Sequence, residues 1–296
     1  MLEAPADRRD DPRALRYIVD HLPPGTTIKR QVLIVNRTDE RQKIDVYPAA
    51  ASLEKGKFAF GEGHASNELT SWITLDHEVV ELEPSQEARV RATITVPEKA
   101  SAGERYGVIW ASAVSAPRPS GSVTQIHRVG IRIYLDIGPG GEPASDFTIG
   151  EMLPARSPQG EPSVAIEVSN TGGRALDLTG RVSLSEGPAG SRAGPFDVVQ
   201  GTTLAPGASG QVTVRFPNEL TNGPWTIQVN LESGLVKKDA TRQIEFPAPG
   251  KVGKPGTLLS RMAAGWNLAM TAAGLLVVAG LIWLARRHRK RLSAAR

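Results

Sequence analysis

The chain has 296 residues, including 30 glycines and 22 prolines, and no cysteine, which excludes disulfides, thiolate metal sites and cysteine nucleophiles. Its formal net charge is +4, but six cations follow residue 285, so the body before them carries 29 basic against 31 acidic side chains. A body without excess positive charge argues against a nucleic-acid-binding surface. The many glycines and prolines predict frequent turns and an all-β fold.

Period-two alternation of apolar and polar residues recurs through the first 247 residues. This is the pattern of strands with one buried face. The clearest runs, in chain order, are 88–96, 129–137, 164–169, 212–216 and 227–231. Short turn signals rich in Gly, Pro and Asn separate them. No helical period occurs before residue 255, so the sequence predicts an all-β body.

A Gly/Pro-rich break at 138–143 directly follows the longest predicted strand. We interpret it as an interdomain junction. Residues 1–138 and 139–247 then have the size of two tandem immunoglobulin-like β-sandwiches. Residues 248–261 are again rich in Pro and Gly and predict an extended, semi-flexible linker.

The two halves share a weak internal repeat. In the first, a strand ends at Asn36 and a later strand is followed by Leu82–Pro84. In the second, the corresponding positions are Asn170 and Leu204–Pro206. The shared order of strand, Asn turn, strand and Leu-x-Pro predicts two sandwiches of related topology.

Residues 262–285 contain no Lys, Arg, Asp or Glu. At ~1.5 Å per residue a helix of this length spans ~36 Å, and the hydrocarbon layer is ~30 Å thick. Trp266 and Trp283 lie near the two ends, where indole rings prefer the membrane interface. Arg286 and Arg287 follow at once and cannot enter the hydrocarbon. The sequence therefore predicts a single transmembrane helix with these four residues at its interfaces.

The basic tail at 286–296 sets the predicted orientation. By the positive-inside rule it is cytoplasmic, and the β-rich body is outside the cell. This topology normally requires an N-terminal signal peptide, but the residues after Met1 contain no apolar leader segment. We expect either that a leader has been lost or that the start codon lies further upstream. Otherwise the helix is a tail anchor and the body is inside.

Several motifs of the first half match a known family. They are Tyr17–Asp20, Pro24–Thr26, Val32–Thr38, Ser71–Ile73, Leu82–Pro84 and Gly103–Gly107. The chain resembles the WxL-interacting proteins of Gram-positive bacteria. The resemblance implies a peptidoglycan-binding first domain, a second immunoglobulin-like domain, a C-terminal transmembrane helix and a secreted WxL-type partner.

Catalytic motifs are absent from the sequence. The five histidines lack metal-site spacing, and neither a nucleophile elbow nor a phosphate-binding loop is present. The acid pairs Asp76 with Glu78 and Glu81 with Glu83 could serve as glycosidase carboxylates, but they are more typical of a solvated strand face. We predict a protein that is not an enzyme and has no metal and no cofactor.

The loop at 52–71 is longer than a hairpin needs and carries weak candidates for ligand binding. Phe58 and Phe60 could stack on sugar rings, and His64 and Asn67 could meet hydroxyl groups. The alternative is that the two phenylalanines cover the end of the core.

These observations predict a non-enzymatic, membrane-anchored adhesion protein at the cell surface. It would contact cell-wall peptidoglycan or a secreted partner, and strand addition is a reasonable mode of partner capture. The alternative is a chaperone-like assembly accessory, which a basic cleft between the domains would favour. A third hypothesis, a wall hydrolase, rests only on the acid pairs.

Overall fold

The computed structural model describes residues 2–3, 5–115 and 125–254. Within them the chain forms eighteen β-strands and three single-turn 3₁₀ helices, so the all-β prediction is confirmed. The strands are β1 (Leu2–Glu3), β2 (Ile18–Leu22), β3 (Thr27–Val35), β4 (Gln42–Glu54), β5 (Lys57–Phe60), β6 (Ile73–Leu75), β7 (Val79–Leu82), β8 (Glu87–Thr95), β9 (Gly103–Ser115), β10 (Gln125–Ile137), β11 (Phe147–Arg156), β12 (Pro162–Asn170), β13 (Leu176–Ser185), β14 (Ala193–Asp197), β15 (Thr202–Leu204), β16 (Ser209–Arg215), β17 (Gly223–Ser233) and β18 (Val236–Phe246).

The first ten strands form a sandwich of two sheets. One sheet has the order β1-β3-β8-β6, and the other has β2-β10-β9-β4-β5 with β7 paired to β4. The alternation predicted for β8 places Val90 and Ile94 in the core, and that of β10 places Ile133 and Leu135 there. All four are fully buried between the two sheets.

The last eight strands form a second sandwich. Its sheets have the orders β11-β12-β16 and β14-β13-β17-β18, with β15 paired to β13. Val164 and Ile166 of β12 share the core with Ile227 and Val229 of β17. These alternating residues are fully buried, as the sequence pattern predicts.

The internal repeat makes the same contact in both sandwiches. The Asn36 amide donates to the carbonyl of Leu82 at 3.0 Å, and the Asn170 amide donates to the carbonyl of Leu204 at 3.0 Å. Each Asn oxygen also accepts a backbone N–H two residues further on, at 3.0 Å. The Asn turn and the Leu-x-Pro segment are therefore one structural unit, present twice.

One face of β10 is buried, although the alternating pattern predicts that this face is exposed to solvent. Tyr134 and Asp136, which oppose the core residues, are buried. Tyr134 belongs to a small cluster with Val19, Phe58 and Ala175. Because Ala175 comes from the second half of the chain, the second sandwich covers a face that would otherwise contact water.

The segment after β18 runs back along the second sandwich. Val252 forms a bridge with Ala155, and the Gly253 N–H donates to the Pro154 carbonyl at 2.8 Å. The first part of the predicted linker at 248–261 is thus docked on β11 as far as residue 254.

The remainder of that linker lies outside the described residues. So do the predicted span 262–285 and its interface residues Trp266, Trp283, Arg286 and Arg287. In the part of the chain that the structure describes, no helix has the length and apolar character needed to cross a bilayer.

Candidate functional site

β10 has neighbours on both sides along only one half of its length. From Ile133 to Ile137 it pairs with β9 on one side and, in parallel, with β2 on the other. From Gln125 to Arg132, β9 is the only strand that pairs with it among the described residues. We call Gln125–Arg132 the free half of β10. Its outer edge presents backbone N–H and C=O groups that another extended chain can pair with.

Aliphatic side chains are exposed along this edge. Val129 has 76% and Ile126 has 63% of its surface accessible, and Val114 on the adjoining part of β9 has 52%. Soluble proteins usually protect a sheet edge with charges, prolines or a covering segment. An edge with exposed aliphatic residues is instead typical of a binding surface.

An apolar cavity of about 660 Å³ opens behind the free half, between the two sheets of the first sandwich. Val129 and Ile131 of β10 and Val46 of β4 line it from one sheet, and Ile34 of β3 lines it from the facing sheet. Protein interiors normally contain few voids of this size. The cavity therefore has room for a row of side chains that the described part of the chain does not supply.

Short side chains on β9 contribute to this space. Ala111 and Ala113 line the cavity, and they lie opposite Val129 and His127 in the β9–β10 register. Two larger residues at these positions would reach further across the gap. The same strand carries Ile109, which belongs to the buried core and lines the inner part of the same cavity.

The free half is electropositive. Arg128 projects from it, and Arg37 lines the cavity, whereas the lining contains no Asp or Glu among the described residues. The Arg128 guanidinium lies 5.4 Å from the centre of the Trp110 ring. Charges of one sign beside an apolar groove favour a partner with acidic groups.

Two of the predicted loop candidates have structural roles. Phe58 is buried, and its ring centre lies 5.1 Å from that of Tyr134. The Asn67 amide donates to the Tyr106 carbonyl at 2.8 Å, and its oxygen accepts the Thr70 N–H at 3.0 Å. For Phe58 the structure favours the alternative in which the ring covers the core, and Asn67 holds its own loop.

The other two candidates are exposed. The ring of Phe60 lies 4.9 Å from that of Trp110, and the His64 ring stacks on Tyr47 at 3.7 Å. Their role in ligand binding stays a prediction.

The acid pairs have cationic or backbone partners. Arg41 forms ion pairs with both Glu81 and Glu83, and the separation from Glu83 is 3.4 Å. The Asp76 carboxylate accepts the Arg91 N–H at 2.8 Å. None of these contacts gives either acid pair the arrangement that acid–base catalysis requires.

Buried charges join the two sandwiches. Arg174, which precedes β13 and is 1% exposed, donates to Glu104 of β9 at 2.7 Å and also pairs with Glu142. Its Nη2 atom is 3.3 Å from the carbonyl of Asp20 and 3.4 Å from that of Tyr134. One side chain of the second sandwich is thus bonded to three strands of the first and to the segment between the two sandwiches.

Asp177 is a second connection between the sandwiches. It accepts the Tyr134 hydroxyl at 2.7 Å and the Thr203 hydroxyl at 3.0 Å, and it pairs with Arg13 at 3.1 Å. Burial raises the pKa of the Tyr134 hydroxyl, and the adjacent Asp177 charge raises it further. The phenol therefore stays neutral and keeps donating its proton to the carboxylate.

The free half of β10 could not be identified from the sequence, although the alternating pattern of the strand was present. The alternation at 129–137 predicts the strand and its inward face. It does not indicate which neighbour pairs with each edge, because that depends on where β2 begins in space.

No family model and no curated protein matches the chain. Several solved structures show a distant similarity. The Pseudomonas aeruginosa CupB2 chaperone is 10% identical, with a TM-score of 0.40 over 78% of this chain and 97% of that one. The E. coli chaperone DraB is 13% identical, with a TM-score of 0.40 over 76% and 94% of the two chains.

A complex of the Salmonella enterica SafA pilin with the SafB chaperone gives 12% identity and a TM-score of 0.42, over 76% of this chain and 92% of that one. With TM-scores below 0.5, these similarities support no inference about what this chain does.

Proposed function

We propose that this chain is a non-enzymatic surface protein that binds an extended segment of a secreted polypeptide, which adds as a strand to the free half of β10. One observation carries the proposal. The edge from Gln125 to Arg132, which no other described strand pairs with, lies directly beside an apolar cavity of about 660 Å³. The edge offers backbone hydrogen bonds, and the cavity offers space for alternate side chains of the added strand.

A polypeptide fits this site better than a glycan. Backbone N–H donors and C=O acceptors repeat along a strand edge at the same spacing as they do along another extended peptide. Every second side chain of an added strand would point between the sheets, towards Ala111 and Ala113. Burial of such side chains contributes roughly 25 cal/mol per Å² of apolar surface.

The charges favour a different polypeptide over a second copy of this chain. Two copies paired edge to edge would bring the Arg128 side chain of each copy into one seam. Like charges on adjacent strands destabilise their pairing. The partner strand is therefore apolar on one face and acidic on the other.

The membrane anchor and the family resemblance are part of the proposal. The predicted span at 262–285 would hold the two sandwiches outside the cell, and the resemblance would make the partner a WxL-type secreted protein. The alternative of an assembly accessory uses the same edge with a transient client. A strand site for protein supports either of these more directly than adhesion to peptidoglycan.

Fluorescence polarisation with the full-length chain tests the proposal. The probe is a labelled nine-residue peptide that alternates valine and glutamate, and a peptide with the same residues in scrambled order is its control. We expect the alternating peptide to bind and Val129→Lys to weaken it at least about tenfold, equivalent to about 1.4 kcal/mol. The matched control is Leu235→Lys, because Leu235 is also exposed, at 68%, and lies in the second sandwich.

Equal binding of the two peptides, or equal loss in both variants, would contradict the proposal. Sedimentation provides a further check. A dimer that Val129→Lys dissociates would assign the edge to a second copy of the chain.

A further inference from the structure

A second, polar cavity of about 530 Å³ lies between the two sandwiches. The turn joining β4 to β5 forms one wall, and the segment before β15 together with β16 forms the other. Its lining residues are Lys55, Gly56, Lys57, Phe58, Arg132, Val199, Gln200, Gly201, Thr202, Gln211, Thr213 and Arg215. We call it the interdomain cleft.

Four cations line the interdomain cleft, and the lining contains no carboxylate among the described residues. They are Lys55, Lys57, Arg132 and Arg215. Arg132 has a counterion, since it lies 3.3 Å from Asp177. In the described part of the chain the other three form no ion pair within 4 Å. Glu54 is the cross-strand partner of Lys57, so the three cations are only partly compensated, and an anion in the cavity would be attracted to them.

The structure holds these cations on ordered elements. The Thr203 N–H donates to the Gly56 carbonyl at 2.8 Å, which ties the β4–β5 turn to the second sandwich. The Arg132 guanidinium lies 4.8 Å from the centre of the Phe58 ring. Arg215 ends β16, which pairs with β12 along its length. These contacts fix the backbone that carries the four cations, so their side chains start from defined positions around the cavity.

We infer that the interdomain cleft binds an oligomer of glycerol phosphate or sugar phosphate. The number of free cations requires a ligand with at least two negative charges, and a phosphodiester chain supplies one charge in each repeat. Thr202, Thr213 and Gln211 line the same cavity and can hydrogen-bond to the hydroxyl groups between the phosphates. An uncharged glycan would leave Lys55, Lys57 and Arg215 without an anionic partner.

Isothermal titration calorimetry with the full-length chain and a glycerol phosphate oligomer tests this inference. The variant Lys57→Ser/Arg215→Ser removes two charges from the interdomain cleft. The control Lys29→Ser/Arg242→Ser removes two charges from β3 and β18, outside it. We expect at least tenfold weaker binding in the first variant, less than a twofold change in the control, and binding that weakens as salt is raised.

Three results would overturn the inference. Equal loss in the two variants would indicate general charge attraction. Equal affinity for a neutral chitin oligosaccharide would exclude anion recognition. Equal affinity for a hyaluronate oligosaccharide, or for inorganic phosphate alone, would show that the cleft does not select a phosphate chain. The valine–glutamate peptide should bind the cleft variant normally, so failure here is distinguishable from failure of the strand-addition proposal.

Discussion

The two halves of β10 have similar sequence patterns and opposite environments. From Ile133 to Ile137 the strand has a neighbour on each edge and protein on both faces. From Gln125 to Arg132 it has one neighbour among the described strands, and aliphatic residues are exposed. The difference arises where the chain reaches β2. Before Ile18 the backbone turns, with the Tyr17 N–H bonded to the Arg13 carbonyl at 2.8 Å.

Arg13 itself donates to the Ala175 carbonyl of the second sandwich at 2.8 Å. The segment that could have continued along the edge of β10 is therefore used to join the sandwiches. One half of the strand therefore joins the two sandwiches. The other half is left available to a partner.

The largest expected effect on stability concerns Ile133–Ile137, which we call the buried half of β10. Arg174→Ala would leave Glu104 buried without its cation and remove the contact with the Tyr134 carbonyl. We expect a loss of about 3–5 kcal/mol in the free energy of unfolding, because an uncompensated buried charge is costly. Urea denaturation measures it. In the control, Arg181→Ala breaks an exposed pair with Asp197 and should cost about 0–1 kcal/mol.

A direct comparison of the two halves truncates one β-branched aliphatic side chain in each to alanine. Ile133→Ala removes a fully buried side chain and should cost about 2–5 kcal/mol. Val129→Ala removes a largely exposed one and should change stability by about 0.5 kcal/mol or less. Thermal unfolding of the two variants measures the contrast. A similar cost at both positions would mean that the free half is covered.

The next prediction concerns Asp20 of β2, the strand that pairs with the buried half of β10. The pH dependence of stability tests it. Burial raises the pKa of this carboxyl, although Arg30 and Arg8 lower it in part. The folded chain then keeps the Asp20 proton to a higher pH than the unfolded chain. This contribution stabilises the fold at low pH and is lost as pH rises through the folded-state pKa.

Asp20→Asn cannot ionise, so the wild type should lose stability relative to this variant as pH rises from about 4. Chemical denaturation at a series of pH values measures the two slopes. Parallel slopes would show that Asp20 has the same pKa in the folded and unfolded states.

A small effect on stability is also expected from filling the cavity. Ala113→Leu places a larger aliphatic group in the space behind the free half. Because the site is open, we expect a change of about 1 kcal/mol or less in unfolding free energy. Affinity for the valine–glutamate peptide should fall severalfold in polarisation assays. Unchanged affinity would show that the peptide does not use the cavity.

Much of the fold could be predicted from the sequence. The alternation of β8, β10, β12 and β17 identified their core residues, and the Asn36 and Asn170 turns predicted a repeat that the structure shows as the same hydrogen-bonded unit. These features are local, because period and turn chemistry depend on nearby residues.

The candidate site could not be predicted in the same way. Its free edge depends on how far β2 extends beside β10, and the interdomain cleft depends on residues as distant in sequence as Lys57 and Arg215. The burial of Tyr134 likewise depends on the second sandwich. Sequence periodicity carries no information about such contacts between distant segments.

Hydrogen–deuterium exchange across β10 tests strand addition most directly. In the full-length chain alone, amides from Ile133 to Ile137 should be protected, and those on the open edge between Gln125 and Arg132 should exchange quickly. The valine–glutamate peptide should slow exchange in the second group and leave the first unchanged. Equal protection of both halves without peptide, or no change on adding it, would contradict the account.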